Sequence, residues 1–153
     1  MAGTTPAGEP TARPDLAAMV VPLSRALVAA ELPVLRRRGL SMWGYMVLLA
    51  LDSQPLRTQA ALAESVGADK TRIIGVLDEL QQAGLIRRQA DPADRRARLL
   101  SLTAAGLRLR AAAQADIQHQ EELLLAQLTP DDRRGFLRAL QILSSPPTEE
   151  ITG

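Results

Sequence analysis

The sequence predicts a mainly α-helical protein with one small β-hairpin. Only one Trp, one Tyr and one Phe occur among the 153 residues, although 46% of the residues are hydrophobic. The core must therefore consist of Leu, Ala, Val and Ile, a composition that suits packed helices better than a β-sandwich. Helical spacing of apolar residues supports this fold class, and two short β-compatible runs between residues 85 and 102 predict the hairpin.

The chain divides into one central domain and two tails. Prolines and glycines are frequent in the first residues, which we expect to be disordered. The predicted divisions are a tail at 1–14, N-terminal helices at 15–52, a helix-turn-helix with its hairpin at 56–102, C-terminal helices at 103–143 and a second tail at 144–153. We expect Pro22 and Pro33 to kink or interrupt the first helix, because proline lacks a backbone donor.

The best-defined helix is predicted from Lys70 to about Ala83. Asp69 is a good N-cap for it, and Gly84 is a typical stop. Its buried face recurs at i, i+4 and i+7 and consists of Ile73, Leu77 and Leu80. The residues on the opposite face are small at the start of the helix and polar along its length, which suits close approach to another molecule.

A shorter helix precedes this one. Residues Asp52–Arg57 are typical of a turn, and Thr58 is the expected N-cap of a helix at Gln59–Val66. Gly67 then provides a tight turn into the next helix. Two short helices joined in this way form a helix-turn-helix, whose second helix enters the DNA major groove while the first supports it.

The hairpin has predicted strands at Leu85–Arg88 and Arg98–Leu102, joined by a charged loop. The loop sequence Asp91-Pro92-Ala93-Asp94-Arg95-Arg96 lies between Ala83-Gly84-Leu85-Ile86-Arg87-Arg88 and Leu102-Thr103-Ala104-Ala105-Gly106. These motifs, in this order and at these spacings, resemble the MarR family of bacterial transcriptional regulators. The resemblance extends over about Leu16 to Leu143. It implies a winged helix-turn-helix lobe with N- and C-terminal dimerisation helices.

The candidate DNA-contacting residues lie on the two short helices and in the hairpin loop, which is the wing. They are Thr58, Gln59, Lys70, Thr71, Arg72, Ile74, Gly75, Arg95 and Arg96. The first helix offers hydroxyl and N–H groups to phosphate, and the second offers Arg72 to guanine and Ile74 to a thymine methyl. Gly75 departs from the family pattern, in which a basic residue is frequent. It either lets the backbone approach DNA closely or marks the absence of a contact.

For the wing, the resemblance implies that Arg95 or Arg96 enters the minor groove, where a narrow A·T-rich groove attracts guanidinium groups. It also implies that Asp94 or Asp91 stabilises the loop by pairing with an arginine. The alternative is an ion pair within the loop that has no role in DNA binding. Because the net charge is only +1, affinity for DNA must come from such local clusters.

Trp43 and Tyr45 are candidates for lining a small-molecule pocket, since an aromatic ring with a polar tip suits ligand sites. Such residues more often belong simply to the core. In the family, ligands often sit between the dimerisation helices and the DNA-binding lobe, where the helix that follows Ser41 is expected to lie.

The first and last helices carry more apolar surface than a winged-helix lobe needs to cover. They are therefore predicted to form a homodimer interface, as they do in the family. A two-fold dimer presents two recognition helices about 34 Å apart to a near-palindromic DNA site.

Other kinds of site find little support. The absence of cysteine excludes disulfides and thiolate metal sites. His119 is a lone histidine, and we predict no metal, no cofactor and no catalytic residue, hence no enzyme. The chain shows neither a signal peptide nor an uninterrupted run of eighteen apolar residues, so we expect a soluble, cytoplasmic protein without a membrane segment.

The sequence thus predicts a DNA-binding transcriptional regulator, a homodimeric repressor of a near-palindromic operator that a small-molecule ligand releases. The alternative is a winged-helix module that binds a protein partner and has weak or no specific affinity for DNA. Salt dependence separates the two, because arginine contacts to DNA release counterions and weaken steeply as salt rises.

Overall fold

The computed structural model describes residues 12–53 and 57–145. The described elements are α1 (Leu16–Arg37), α2 (Met42–Ser53), β1 (Arg57–Thr58), α3 (Gln59–Val66), α4 (Lys70–Gln82), β2 (Ile86–Ala90), β3 (Arg98–Leu102), α5 (Ala104–Leu125) and α6 (Pro130–Ser144). The prediction of a mainly helical chain with a small sheet is therefore confirmed. Both predicted tails fall largely outside the described residues, as does the middle of the predicted turn at Asp52–Arg57.

Side-chain caps define where five of the helices begin. The N-caps are Ser41, Thr58, Asp69, Thr103 and Thr129, and each side chain accepts a hydrogen bond from the backbone N–H three residues further on. This bond satisfies one of the amide donors that a helix leaves free at its start. Gly67 and Gly84 have φ near +70° and turn the chain at the ends of α3 and α4, as the sequence predicted.

Helix α1 runs without interruption through Pro22 and Pro33, so the interruption that was one of the two expected effects of these prolines does not occur. Proline removes one backbone donor and crowds the preceding turn, but it does not prevent its neighbours from remaining helical. Ala30, Leu32 and Leu35 near Pro33 favour helix, whereas Val20 and Val21 before Pro22 do so less. The end of α1 is also fixed by packing, since Val34 and Leu35 are buried in the core.

The sheet has three antiparallel strands in the order β1-β3-β2. β2 pairs with β3 from Ile86 opposite Leu102 to Ala90 opposite Arg98, which is the predicted hairpin. β1 adds a third strand that the sequence prediction missed. It consists of only two residues, which are too few to show the alternation typical of a strand. Its partners, Leu99 and Leu100, lie far away in the sequence.

One hydrophobic core joins the end of α1 to α2, α3, α4, the sheet and α5. Its most deeply buried large side chains are Leu35, Leu48, Leu51, Leu62, Ile73, Leu77, Ile86 and Leu100. At the edge of this core, Arg110 of α5 pairs with Asp52 of α2 at 3.1 Å, and Arg38 pairs with Asp116 at 2.8 Å. These contacts join α5 to α2 and to the end of α1.

Helices α1 and α6 leave much apolar surface uncovered. On α1 the exposed large side chains are Leu16, Met19, Val20, Val21 and Val28, and on α6 they are Leu137, Leu140, Ile142 and Leu143. No residue of α6 is buried. By length and composition alone α1 would suffice to cross a membrane, since it has 22 residues and a mean hydropathy of 1.6, with 11% of that window buried in the single chain.

Candidate nucleic-acid interface

The turn between α3 and α4 orients the second helix toward solvent. Gly67 closes α3 in the left-handed conformation, and Asp69 begins α4 by accepting a hydrogen bond at 2.8 Å from the N–H of Arg72. Ile73 on the inner face of α4 anchors the helix in the core. Because one face is fixed in this way, the other face is presented outward.

The outer face of α4 carries the predicted recognition residues. Lys70, Thr71, Arg72, Ile74 and Gly75 are all exposed, and Ile74 keeps 46% of its surface accessible although it is an aliphatic residue. A methyl group added at Gly75 would meet no atom within 4 Å. Internal packing therefore does not require glycine at this position.

Arg72 has a partner that sequence reasoning did not anticipate. Its guanidinium lies over the ring of Trp43 on α2, 5.7 Å from the ring centroid, within the range of a cation–π contact. Trp43 is partly buried against the core beside the recognition helix, and it does not line the cavity that Tyr45 lines. The structure thus separates these two predicted pocket residues.

The wing is stabilised by backbone hydrogen bonds. Asp91 Oδ1 accepts from the N–H of Ala93 at 2.9 Å, and Asp94 Oδ1 accepts from the N–H of Arg96 at 3.0 Å. The expected pairing of these aspartates with an arginine side chain is therefore corrected to a pair of tight turns. Arg95 and Arg96 are exposed, and neither side chain forms an ion pair within residues 12–53 and 57–145.

A cavity of about 480 Å³ lies between the start of α3, the outer face of α4 and the wing. Of the predicted DNA-contacting residues, those that line it are Thr58, Gln59, Lys70, Ile74 and Arg96. Thr71, Arg72 and Gly75 continue the surface along α4, while Arg95 lies beside Arg96 at the tip of the wing. The fold therefore brings residues from three separate segments onto one face.

A second link, missed by the sequence analysis, fixes α4 against the sheet. Arg88 on β2 forms an ion pair with Asp78 and donates a hydrogen bond to Gln81 at 2.7 Å. Its side chain is only 18% exposed. The sequence signal was the alternation of β2, which turns Arg88 toward α4, so this arginine positions the recognition helix from behind.

The comparisons with known proteins decide the family. A model of the MarR family matches residues 38–97. The transcriptional regulator HosA of Escherichia coli O111:H- is 32% identical over 97 residues, which make up 63% of this chain and 72% of that protein. The chain belongs to the MarR family.

Solved structures of MarR proteins share the fold over most of the chain. The Mycobacterium tuberculosis MarR family protein Rv2887, solved in complex with DNA, is 26% identical and superposes with a TM-score of 0.75, covering 87% of this chain and all of that one. CouR from Rhodococcus jostii RHA1, solved with p-coumaroyl-CoA, is 28% identical with a TM-score of 0.71, covering 89% of this chain and 96% of that one. The present chain is accordingly a winged helix-turn-helix transcriptional regulator of the MarR family.

This MarR protein has a further polar cluster away from the α4 face, where α1, α2 and α5 meet. Tyr45 is only 6% exposed and borders a cavity of about 260 Å³ that Glu31 and Glu121 also line. Burial raises the pKa of all three side chains. The charge of Glu121 raises the pKa of Glu31 further, and the charge of Glu31 does the same to Tyr45. Glu31 was not singled out from the sequence, because it resembles an ordinary polar position on a helix.

Proposed function

We propose that this MarR protein is a cytoplasmic homodimeric repressor that binds a near-palindromic operator and is released by a small molecule. The observation that carries the proposal is the single exposed surface shared by the α3 start, the outer face of α4 and the wing. Its aliphatic, hydroxyl and guanidinium groups suit base edges and phosphates together. No catalytic role is assigned to any residue.

In this proposal α4 enters the major groove. Lys70, Thr71 and Arg72 lie in its first turn, and Ile74 provides an exposed aliphatic contact for a thymine methyl. Gly75 allows the helix backbone to approach the DNA, an interpretation that the open space around it supports. Trp43 holds the guanidinium of Arg72 in position rather than binding a ligand.

The start of α3 contacts a phosphate. The Thr58 hydroxyl already accepts a hydrogen bond from the N–H of Ala61 at 3.2 Å, and its own proton remains available for a phosphate oxygen. Gln59 follows as the first residue of α3, where the helix dipole favours an anion. These contacts orient the lobe but do not read sequence.

The wing places a guanidinium in the adjacent minor groove. Either Arg95 or Arg96 fits this role, since both are exposed on a loop that Asp91 and Asp94 hold in shape. Fixing the loop before binding lowers the conformational entropy lost on the DNA.

A second copy of the chain covers the apolar faces of α1 and α6. Both helices expose large aliphatic side chains, and α6 buries none of its residues in the single chain. We assign the apolar surface of α1 to this contact rather than to a membrane, because α6 supplies a matching apolar row. A two-fold axis then sets the recognition helices about 34 Å apart.

Solved relatives support the DNA and ligand parts of the proposal. CouR has been solved bound to a 23-mer DNA duplex and also with p-coumaroyl-CoA. We infer that the present chain likewise binds both DNA and a small molecule. Tyr45, at its cavity between α1, α2 and α5, lies in the effector site.

The test is fluorescence anisotropy with DNA from upstream of the gene and a scrambled duplex across a salt series. We expect tight, selective binding to the upstream DNA that weakens steeply with salt. Replacing the wing arginine that enters the minor groove, by Arg95→Ala or Arg96→Ala, should reduce the slope of log K against log salt by about one. Arg108→Ala removes an exposed arginine of α5 and serves as the charge-matched control.

Weak binding that is equal on both duplexes would contradict the operator assignment and favour the protein-interaction alternative. If neither wing variant differs from the α5 control in salt slope, the wing does not contact DNA. Light scattering on the same samples tests the dimer, which should persist without DNA.

A further inference from the structure

Two adjoining cavities lie where α1, α2 and α5 meet. One has a volume of about 130 Å³ and the other about 260 Å³. Glu31 of α1 and both Ile117 and Glu121 of α5 line both cavities and so stand at their junction. The larger cavity continues along Met42, Met46 and Leu49 of α2. It therefore combines an apolar wall with carboxylates at one end.

The two carboxylates lack a cationic partner. Within the described ranges 12–53 and 57–145, neither Glu31 nor Glu121 forms an ion pair or a side-chain hydrogen bond. Their neighbour Glu122 differs, because it binds Arg133 through two hydrogen bonds of 2.6 and 2.7 Å. Placing two like charges together in a half-buried site without a counterion is unfavourable. Burial raises the pKa of both groups in accordance with this.

The Tyr45 hydroxyl is a second, independent sign of a missing ligand. The residue is only 6% exposed, and in the described part of the chain its hydroxyl has no hydrogen-bond partner. The hydroxyl oxygen is not itself fully buried, so it is accessible to a molecule that enters the cavity. Its pKa is raised by burial first and then by Glu31, with a smaller contribution from Glu121. A phenol hydroxyl that lines a cavity beside two carboxylates, without a partner of its own, can accept a hydrogen bond from a donor bound in that cavity.

The charges around the site favour a cation over an anion. Arg110 lowers the Tyr45 pKa, but it lines neither cavity. Its two terminal nitrogens are occupied, one by Asp52 at 3.1 Å and the other by Gln114 at 2.6 Å, while its Nε is buried and has no partner among the described residues. An anionic ligand would therefore meet the uncompensated charges of Glu31 and Glu121 first.

We propose that the effector which binds in this double cavity is an organic cation, a protonated amine carried on an apolar body. The ammonium group lies between Glu31 and Glu121 and donates to the Tyr45 hydroxyl, while the apolar part packs along the methionines of α2. The chemistry of the ligand rests on the proposed function, in which a small molecule releases DNA, but the binding site itself does not depend on it.

The probes are three compounds with one skeleton and different charge: 2-phenylethylammonium, 2-phenylethanol and phenylacetate. Isothermal titration calorimetry at millimolar ligand compares them on the full-length protein. We expect the ammonium compound to bind at least about tenfold more tightly than the other two, as a charge-assisted hydrogen bond in a half-buried site allows. Equal binding of the three, or binding of none, overturns the proposal.

Variants that remove the carboxylate charges test which residues cause the preference for ammonium. Glu31→Gln and Glu121→Gln keep the side-chain shape, and each should remove most of the preference for ammonium. Glu122→Gln is the matched control, since that residue neighbours Glu121 but lines neither cavity. A preference that survives both cavity variants overturns the proposal. The proposal is also overturned if those variants change oligomeric state but still prefer ammonium, because the carboxylates would then stabilise the contact between protomers.

Two further readouts separate this inference from the function on which it builds. Without ligand, both cavity variants should be at least as thermally stable as the wild type, since they remove an uncompensated charge; marked destabilisation would contradict the account of the site. Operator binding is measured on the same samples. Intact operator binding without ammonium preference overturns the ligand chemistry alone, whereas ammonium binding by a protein that ignores DNA supports the site and refutes the proposed regulator.

Discussion

Replacing Gly106 by Ala should destabilise the protein, because α5 crosses the backbone of Leu85 at this residue. A methyl group at Gly106 would lie 2.0 Å from the carbonyl oxygen of Leu85 and 3.0 Å from its carbonyl carbon. Both atoms belong to the backbone, so no side chain can rotate away. Relief requires α5 to move from the base of the hairpin.

Such a movement of α5 would strain or break the hydrogen bonds that Thr103 forms. Its N–H donates to the Leu85 carbonyl at 3.1 Å, and its hydroxyl donates to the Gly84 carbonyl at 2.6 Å while accepting from the N–H of Gly106 at 3.0 Å. Overpacking costs about 1–3 kcal/mol, and the loss of one such bond adds about 1 kcal/mol. Better helix propensity of Ala returns about 1 kcal/mol. The net loss is therefore about 1–3 kcal/mol.

Gly75→Ala is the matched control, a substitution of the same type inside another helix. Nothing lies within 4 Å of the added methyl group, so only helix propensity changes and the protein should gain up to about 1 kcal/mol. Urea unfolding followed by circular dichroism, at one fixed protein concentration because a dimer is expected, measures both. A Gly106→Ala variant as stable as the wild type would refute the close approach of α5 to Leu85. A destabilised Gly75→Ala would refute the open surface on α4.

Three further predictions concern binding and pH. Trp43→Leu should weaken operator binding several-fold in anisotropy titrations, since a cation–π contact with Arg72 contributes about 0.5–1 kcal/mol at an exposed site; unchanged affinity would remove the positioning role. Asp94→Ala should weaken operator binding while leaving the urea midpoint almost unchanged, because it frees only the wing. Since the pKa values of Glu31 and Glu121 are raised by folding, the folded state holds protons more readily. At neutral pH the two ionised carboxylates therefore lower the stability of the folded state, and this penalty should be relieved as pH falls through their folded pKa values. Thermal melts of the Glu31→Gln/Glu121→Gln double variant should lack this gain in stability on acidification.

The helices of the winged-helix lobe were predictable because their signals are local. The cap at Asp69 and the stop at Gly84 lie within a few residues of the turns that they define, and the structure confirms both. The uninterrupted course of α1 was not predictable from Pro22 and Pro33 alone, since the outcome depends on neighbouring residues and on packing at the end of the helix. Strand β1 was not predicted for a related reason, because a strand of two residues is too short to show periodicity.

The features of the candidate sites that are local in sequence could also be predicted, whereas those that depend on folding could not. The wing motif is contiguous, so its loop could be located, although the partners of its aspartates proved to be backbone N–H groups. The junction of Glu31 with Glu121 is different, because the two residues lie on α1 and α5 and meet only after the chain has folded. The contact of Arg72 with Trp43 likewise joins α4 to α2. Sequence patterns within one helix carry no record of such contacts.

Helix α2 connects the proposed effector site to the proposed DNA surface. Tyr45 lines the cavity while Trp43, two residues earlier, lies under Arg72 of the recognition helix. To turn a dimer from almost fully competent for DNA to almost fully incompetent, ligand must favour the second geometry by about 5.5 kcal/mol. One charge-assisted contact provides about 1.5–3 kcal/mol, which falls short of this value. Two such contacts, to Glu31 and Glu121 of one cavity or in two symmetry-related cavities, provide about twice as much, so complete release of DNA requires more than one contact that forms only in the second geometry.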